Sequence, residues 1–349
     1  MAVLLPVRTS FSPRTASDPS PSVLRTSVAV PAPTHVIGVA DPNFVGQTTA
    51  VQASQLAAMK AIGITSLRID ANWESVQYGG PGTYDWTKLD QAVRLARAAG
   101  FSIDLIVDGC PPWAALPGTA DDTSPQPASA AQFAGWAAAV AARFGPKGVG
   151  IFEIWNEPNS AASWPPAANP AAYTKILVAS YAAIKKVDPS ALVVSGGLAP
   201  ETNDGEDISP IDFLKDMYAD GAKGSFDALG FLAYCFPALP DTYEPWSAWS
   251  QMAQTSPSIR SIMDSNGDAG KSIWITEFGA PTNGPGGVGD EAQAAAVTQA
   301  IADVRAAKWI GALYLYTWQD QGNNQDWYGL VTAGGAKKPA YAAVSASTG

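Results

Sequence analysis

The sequence predicts an α/β protein, a single-domain parallel (β/α)8 barrel of the TIM type. Three observations predict it. Short apolar runs of strand length recur eight times after His35. Helical stretches separate them, so the units repeat over about 310 residues at roughly 30–40 residues each, the barrel's count. Polar and aromatic clusters follow nearly every run. In an open doubly wound sheet, the competing architecture, such clusters would converge only near the switch point, whereas in a barrel all of them meet at one mouth.

The predicted strands are Val36–Ala40, Ser66–Asp70, Ser102–Asp108, Gly150–Asn156, Ala191–Ser195, Ala228–Ala233, Ser272–Thr276 and Gly311–Tyr316. The first helices are read at Thr49–Ile62, Thr87–Ala99 and Ser129–Phe144. Each ends on a glycine, Gly63, Gly100 or Gly145, a residue able to close a helix in the left-handed conformation. Within the second, Leu89, Val93, Leu95 and Ala96 recur near helical spacing. Residues 1–34 carry six prolines and many Ser and Thr without periodicity, which reads as a flexible leader or linker before a catalytic barrel over 35–349. Ala2–Val7 is too short for a signal-peptide core, so no signal peptide is visible, and export is an expectation resting on the leader's composition.

Composition narrows the chemistry. A net charge of −10 disfavours nucleic acid and anionic membranes. No run reaches the length of a membrane span. The one histidine, His35, removes His-based triads and most transition-metal sites, and the two cysteines form no zinc pattern. Cys110 and Cys235 follow strands on nearly opposite sides of a barrel, so buried free thiols are expected ahead of a disulfide. Catalysis is left to carboxylates, tyrosines or the rare cysteines, and a catalytic thiol has no histidine to activate it. Twelve tryptophans are enough both to fill a core and to stack on sugar rings.

Two carboxylates stand at strand ends, where a barrel places its active site. Glu157 lies in Ile154-Trp155-Asn156-Glu157-Pro158-Asn159, and Glu277 in Thr276-Glu277-Phe278-Gly279. A pair facing across a mouth is what glycoside cleavage requires, one to protonate the leaving oxygen and one to attack the anomeric carbon. With these motifs the chain, over about residues 36–345, resembles the clan A glycoside hydrolases of the family 5 and family 39 types. The resemblance implies retaining hydrolysis of a β-linked glycoside or polysaccharide, with Glu157 as acid/base, Glu277 as nucleophile and Asn156 on the sugar. It implies that Arg68, in Ser66-Leu67-Arg68-Ile69-Asp70, keeps the nucleophile ionised, that Tyr234 hydrogen-bonds it, and that Trp318, in Tyr314-Leu315-Tyr316-Thr317-Trp318, floors the reacting sugar. Trp113, in a Pro111-Pro112-Trp113 turn, and Asp70 are further candidate substrate contacts, and Gly329-Leu330 with Lys338-Pro339-Ala340-Tyr341 matches a closing pattern of these barrels.

One position departs from the clan. Leu232 stands where it usually has His, so the reacting sugar is expected to bind more weakly or to differ in identity. Glu153 is read as a structural ion-pair partner, with Arg68 as its candidate mate, and Trp155 as packing. Trp164, Trp246, Trp249 and Trp327 lie in loops as sugar platforms or loop anchors. No metal or cofactor is implied, and the expected partner is carbohydrate. A non-catalytic carbohydrate-binding barrel and a transglycosylase remain the alternatives. The sugar, endo or exo action and oligomeric state stay open.

Overall fold

A computed structural model describes residues 35–321 and 327–348, so the expected leader lies outside the described residues. Eight parallel strands close a barrel in chain order: β1 Val36–Ala40, β2 Ser66–Asn72, β3 Ser102–Asp108, β4 Ile151–Asn156, β5 Leu192–Gly197, β6 Ala228–Leu232, β7 Ser272–Phe278 and β8 Ile310–Tyr316. Closure is made by β8 pairing with β1, where Gly38 faces Tyr314 and Ala40 faces Tyr316. The helices are α1 Thr49–Ala61, α2 Trp73–Gln77, α3 Thr87–Ala98, α4 Ala130–Phe144, α5 Pro170–Val187, α6 Pro210–Ala219, α7 Ala248–Ala253, α8 Ile259–Ser265, α9 Asp290–Ala306 and α10 Pro339–Thr348.

Local chemistry explains the starts and stops. Thr48, Ser129, Asn169 and Ser209 each accept a backbone N–H of the first helical turn, relieving one orphaned donor. Gly63 and Gly100 take the expected left-handed conformation, with φ of 78° and 88°. Gly145 does not: at φ −52° it carries α4 into a short 3-10 turn, and Gly148, φ 90°, makes the reversal instead. Three strands run past their expected ends, β5 reaching Gly197. Pairing of Asn72 with Asp108 extends β2, and pairing of Phe278 with Leu315 extends β7. Asp70 and Glu277 are therefore strand residues on a hydrogen-bonded frame, stiffer than a loop.

Two cores result. The larger fills the space between barrel and helices, where Phe133, Trp136, Phe152, Phe213 and Leu313 are buried. The smaller lies inside the barrel around Val194, Trp274 and Tyr314. Gly38 makes room there, because a Cβ on it would come within 2.6 Å of the Tyr314 ring. Above this plug the interior turns ionic. Arg68, Asp104 and Glu153 are all buried, a costly arrangement unless charges are paired or neutralised.

Candidate active site

Arg68 organises the mouth. Its Nε and Nη2 donate to the two oxygens of Glu153 at 2.6 and 3.1 Å. Nη1 donates to Glu277 Oε1 at 2.8 Å, and Nη2 also to Asn156 Oδ1 at 2.8 Å. A guanidinium suits this task because its fork presents several donors in one plane. Burial opposes its charge, but Glu153 and Glu277 more than offset this and hold Arg68 protonated well above its ordinary value. Glu153 completes its bonding with the Gly197 N–H at 2.9 Å. Gly197 is required at this approach, since a Cβ would lie 2.3 Å from Thr276 Oγ1. The expected ion pair of Glu153 with Arg68 is thus present. Asp104, below them, finds no hydrogen-bond partner among the described residues, and burial, with Glu153 adding, raises its carboxyl well above the ordinary range. Burial raises Glu153 as well, with Arg68 and the Gly197 N–H opposing.

Glu277 receives a second donor on its other oxygen, the Tyr234 hydroxyl at 2.8 Å. Burial and the adjacent Glu277 push the Tyr234 hydroxyl well above its usual range, so it remains a donor. Glu157 is placed differently. Its backbone, φ 49°, and that of Trp155, φ 71°, lie in the left-handed region that non-glycine residues seldom enter. The Trp155 side of this bend is fixed by its indole N–H donating to the Ser163 carbonyl at 3.0 Å and by rings of Phe133 and Trp164. Glu157 accepts one side-chain bond, from Ser163 Oγ at 3.0 Å. Burial, then the charge of Glu277, push its carboxyl up to about 7.

Arg68, Asp70, Asn156, Glu157 and Glu277 line one cavity of about 200 Å³, together with Asp41 and Tyr316. Asp70, half-buried there, is pushed up to about 7, chiefly by burial, with Arg68 opposing and Glu277 and Glu153 adding. Five of the eight predicted site residues therefore meet, and Tyr234 joins them through Glu277. Trp318 and Trp113 are not brought to this chamber as expected. Trp318 is buried against Tyr341 beside α1, outside the mouth, because β8 ends at Tyr316 and the chain turns outward. Tyr316 occupies the cavity wall in its place, backed edge-on by Tyr328. Trp113 is half-buried, packed on Trp73 and bonded to the Gln77 carbonyl at 3.0 Å, which anchors its loop. Asp41 and Tyr316 went unread in the sequence; each stands at the end of an apolar run, which was the available signal.

Leu232 is fully buried and pairs with Glu277 across a bulge in β6. Its Cδ1 and Thr276 Oγ1 both lie within 2.4 Å of where a Cβ on Gly197 would sit, and that hydroxyl has no hydrogen-bond partner among the described residues. Cys110 and Cys235 are free and buried, and burial pushes both thiols up to about 12, away from nucleophilic use. Trp164 and Trp249 belong to the core, Trp327 is half-buried, and Trp246 is exposed with its indole N–H on Glu244.

The closed parallel barrel thus holds two carboxylates, Glu157 and Glu277, in one cavity at its mouth. The chain belongs to the cellulase family, glycosyl hydrolase family 5, whose sequence model matches residues 32–321. Among solved structures it is similar to a family 39 glycoside hydrolase from Bacteroides cellulosilyticus, with a TM-score of 0.69 and 22% identity over 90% of this chain. The chain spans 63% of that structure's length. It is also similar to a monomeric β-xylosidase from Caulobacter crescentus, TM-score 0.61 and 18% identity, covering 90% of this chain and 67% of that one. A third likeness is to xylanase 10B from Thermotoga petrophila, TM-score 0.59 and 15% identity, covering 90% and 94%. At these identities the likeness is one of fold. No curated protein sequence matches the chain.

Proposed function

We propose that this chain hydrolyses β-linked glycosides with retention of anomeric configuration. Glu277 is the nucleophile and Glu157 the acid/base. The observation that carries the reading is the unequal setting of the two carboxyls. Glu277 accepts from a buried guanidinium and a phenol, donors that favour an ionised oxygen. Glu157 accepts from one serine hydroxyl and is pushed up to about 7, which keeps a proton available near neutrality.

In the first step a Glu277 oxygen bonds the anomeric carbon while the glycosidic C–O bond breaks. The Glu157 proton passes to the departing oxygen, which leaves as an alcohol. In the second step the Glu157 carboxylate takes a proton from water. The resulting hydroxide oxygen bonds the anomeric carbon, and Glu277 is released as a carboxylate. Asn156 spends its carbonyl on Arg68, so its amide hydrogens are available to a sugar hydroxyl. The similar structures named for β-xylosidase, xylanase and mannosidase activity support β-linked sugars as the first substrates to try.

The test is incubation with aryl β-xylosides, β-glucosides and β-mannosides, followed by a mechanism-based 2-fluoro glycoside and peptide mass analysis. A covalent sugar on the peptide carrying Glu277 is the expected result. A label on another residue would break the assignment, and neither label nor turnover on any sugar would favour a carbohydrate-binding barrel.

A further inference from the structure

We infer that Asn159 and Asp207 are positioning residues for the acid/base, through which the loop after β5 holds the Glu157 carboxyl at the cavity. The inference rests on the proposed role of Glu157. The backbone there is unusual: Glu157 stands at φ 49°, two residues after Trp155 at φ 71°. Non-glycine residues keep such angles only where their surroundings impose them. Left to itself, the turn would relax to negative φ and swing the carboxyl away from Glu277, which lines the same cavity.

The restraint comes from outside the turn. The Glu157 N–H donates to the Gly197 carbonyl at 3.0 Å, which pins the turn to the end of β5. Asn159, fully buried, spends its side chain on the loop that follows β5. Its Nδ2 donates to the carbonyls of Ala199 and Ile208, both at 2.9 Å, and its Oδ1 accepts the Ala199 N–H at 2.7 Å. Its own carbonyl accepts the Ile208 N–H at 3.0 Å. One residue thus closes both ends of that loop onto the Glu157 turn. Asp207 adds a further link, accepting the Ala161 N–H at 2.6 Å. Between these anchors the Ser160 N–H donates to the Glu157 carbonyl at 3.1 Å, and the Ser163 N–H to the Ser160 carbonyl at 3.1 Å. The turn so held carries the Ser163 hydroxyl that bonds the Glu157 carboxyl.

Asn159 and Asp207 lie outside the cavity lining, so they act through the backbone that carries Glu157. The loop has a second effect. It brings the half-buried Glu201 against Ser160 and Asp207, and the charge of Glu201 adds to that of Glu277 in raising the Glu157 carboxyl. Releasing the loop would let water reach Glu157 and withdraw that charge. Both lower the pH at which Glu157 gives up its proton. Loss of the Ser163 bond acts the other way, but burial is the largest cause and outweighs it.

The experiment compares wild type with Asn159→Ala and Asp207→Ala on xylobiose, cellobiose and mannobiose and on the dinitrophenyl β-glycosides of the same sugars. Dinitrophenolate departs without a proton, whereas a sugar alkoxide needs one, so a misplaced acid costs the disaccharide reaction alone. General acid catalysis is worth about 10²–10⁴-fold, and each variant should lose about tenfold or more kcat/KM on the disaccharide beyond its loss on the dinitrophenyl glycoside. A second readout needs no turnover: carboxyl-carbon NMR, with the Glu157 signal assigned by its absence in Glu157→Gln. Glu157 should titrate about one pH unit lower in each variant than in wild type. Equal losses on the two leaving groups, or a Glu157 titration that stays at the wild-type pH, overturns the inference, since a clamp that only stabilised the fold would give that result. Asn159→Ala empties a buried site; if it does not fold, Asp207→Ala, at a half-buried position, decides. Wild type that turns over none of these glycosides loses the proposed function, and the NMR titration then decides whether the loop positions Glu157.

Discussion

Replacing Glu157 by glutamine should make the protein more stable at alkaline pH than at acid pH, relative to wild type, while removing its activity. The folded carboxyl keeps its proton up to about 7, whereas an ordinary glutamate releases it near 4.5. Between those values the folded state binds more protons than the unfolded state, so wild-type stability falls as pH rises through that window and levels off above it. The interval corresponds to about 3 kcal/mol; the half-buried rim position, where water screens the charge, brings the expected effect to about 2 kcal/mol. Glutamine carries no proton to lose and still offers Ser163 an oxygen. Urea unfolding of both proteins at about pH 4 and about pH 8 measures the difference, which should grow by about 2 kcal/mol toward the higher pH. In parallel, wild-type kcat/KM should decline as pH rises through about 7, the limb belonging to the acid. The Gln variant should lose about 10²–10⁴-fold on an alkyl glycoside and lack that limb. Asp70 is also pushed up to about 7, so an Asp70→Asn protein that keeps the limb serves as the control. A stability difference that is flat across pH would refute the burial argument for Glu157.

Other perturbations probe its neighbours. Arg68→Met leaves Glu153 and Glu277 without their cation, and should cost about 3–5 kcal/mol in urea unfolding at neutral pH; a loss under 1 kcal/mol would contradict the buried-pair reading. Tyr234→Phe removes one donor to an ionised oxygen, worth about 1.5–3 kcal/mol, and should lower kcat/KM about 10–100-fold with little change in melting temperature. Leu232→His places an imidazole beside the orphaned Thr276 hydroxyl and the chamber, and should change relative kcat/KM among xyloside, glucoside and mannoside; identical ratios would dismiss a role for this position in sugar choice. Lys338→Met breaks a buried pair with Asp320 at 2.7 Å and should destabilise by about 3–5 kcal/mol, read as a lower urea midpoint.

Most of the frame was legible because barrel strands are buried on both faces and therefore appear as continuous apolar runs. Glu157 and Glu277 stood out because the runs stop beside them. What was illegible depended on how the chain turns after a strand. Trp318 looked like the sugar floor because its motif is rich in aromatics, and the strand end at Tyr316 was read correctly, but no local pattern shows which way the next two residues turn. Gly145 ends α4 as expected, but without the left-handed conformation, because a 3-10 turn follows and Gly148 makes the reversal. Helix α2 left no periodic trace at all. It is a five-residue turn held by contacts to Trp113 and Asp85, which no local pattern announces.

Three buried acids, Asp104, Glu153 and Glu277, act on the one buried guanidinium of Arg68. If Asp104 were ionised, Arg68 would face three negative charges and its hold on Glu277 would be divided. Burial instead raises Asp104 well above its ordinary range, and Arg68 is left to Glu153 and Glu277. Glu153 takes two of the guanidinium bonds and so fixes the plane of the fork, which aims Nη1 at Glu277. Glu157 lies beyond that fork, raised first by burial and then by Glu277, with Arg68 as a minor opposing influence. The adjacent Glu277 is thus a cause, second to burial, of the proton retained on Glu157. Burial is the larger cause, and Arg68 opposes it, so a change that opens Glu157 to water should lower the pH at which it gives up its proton.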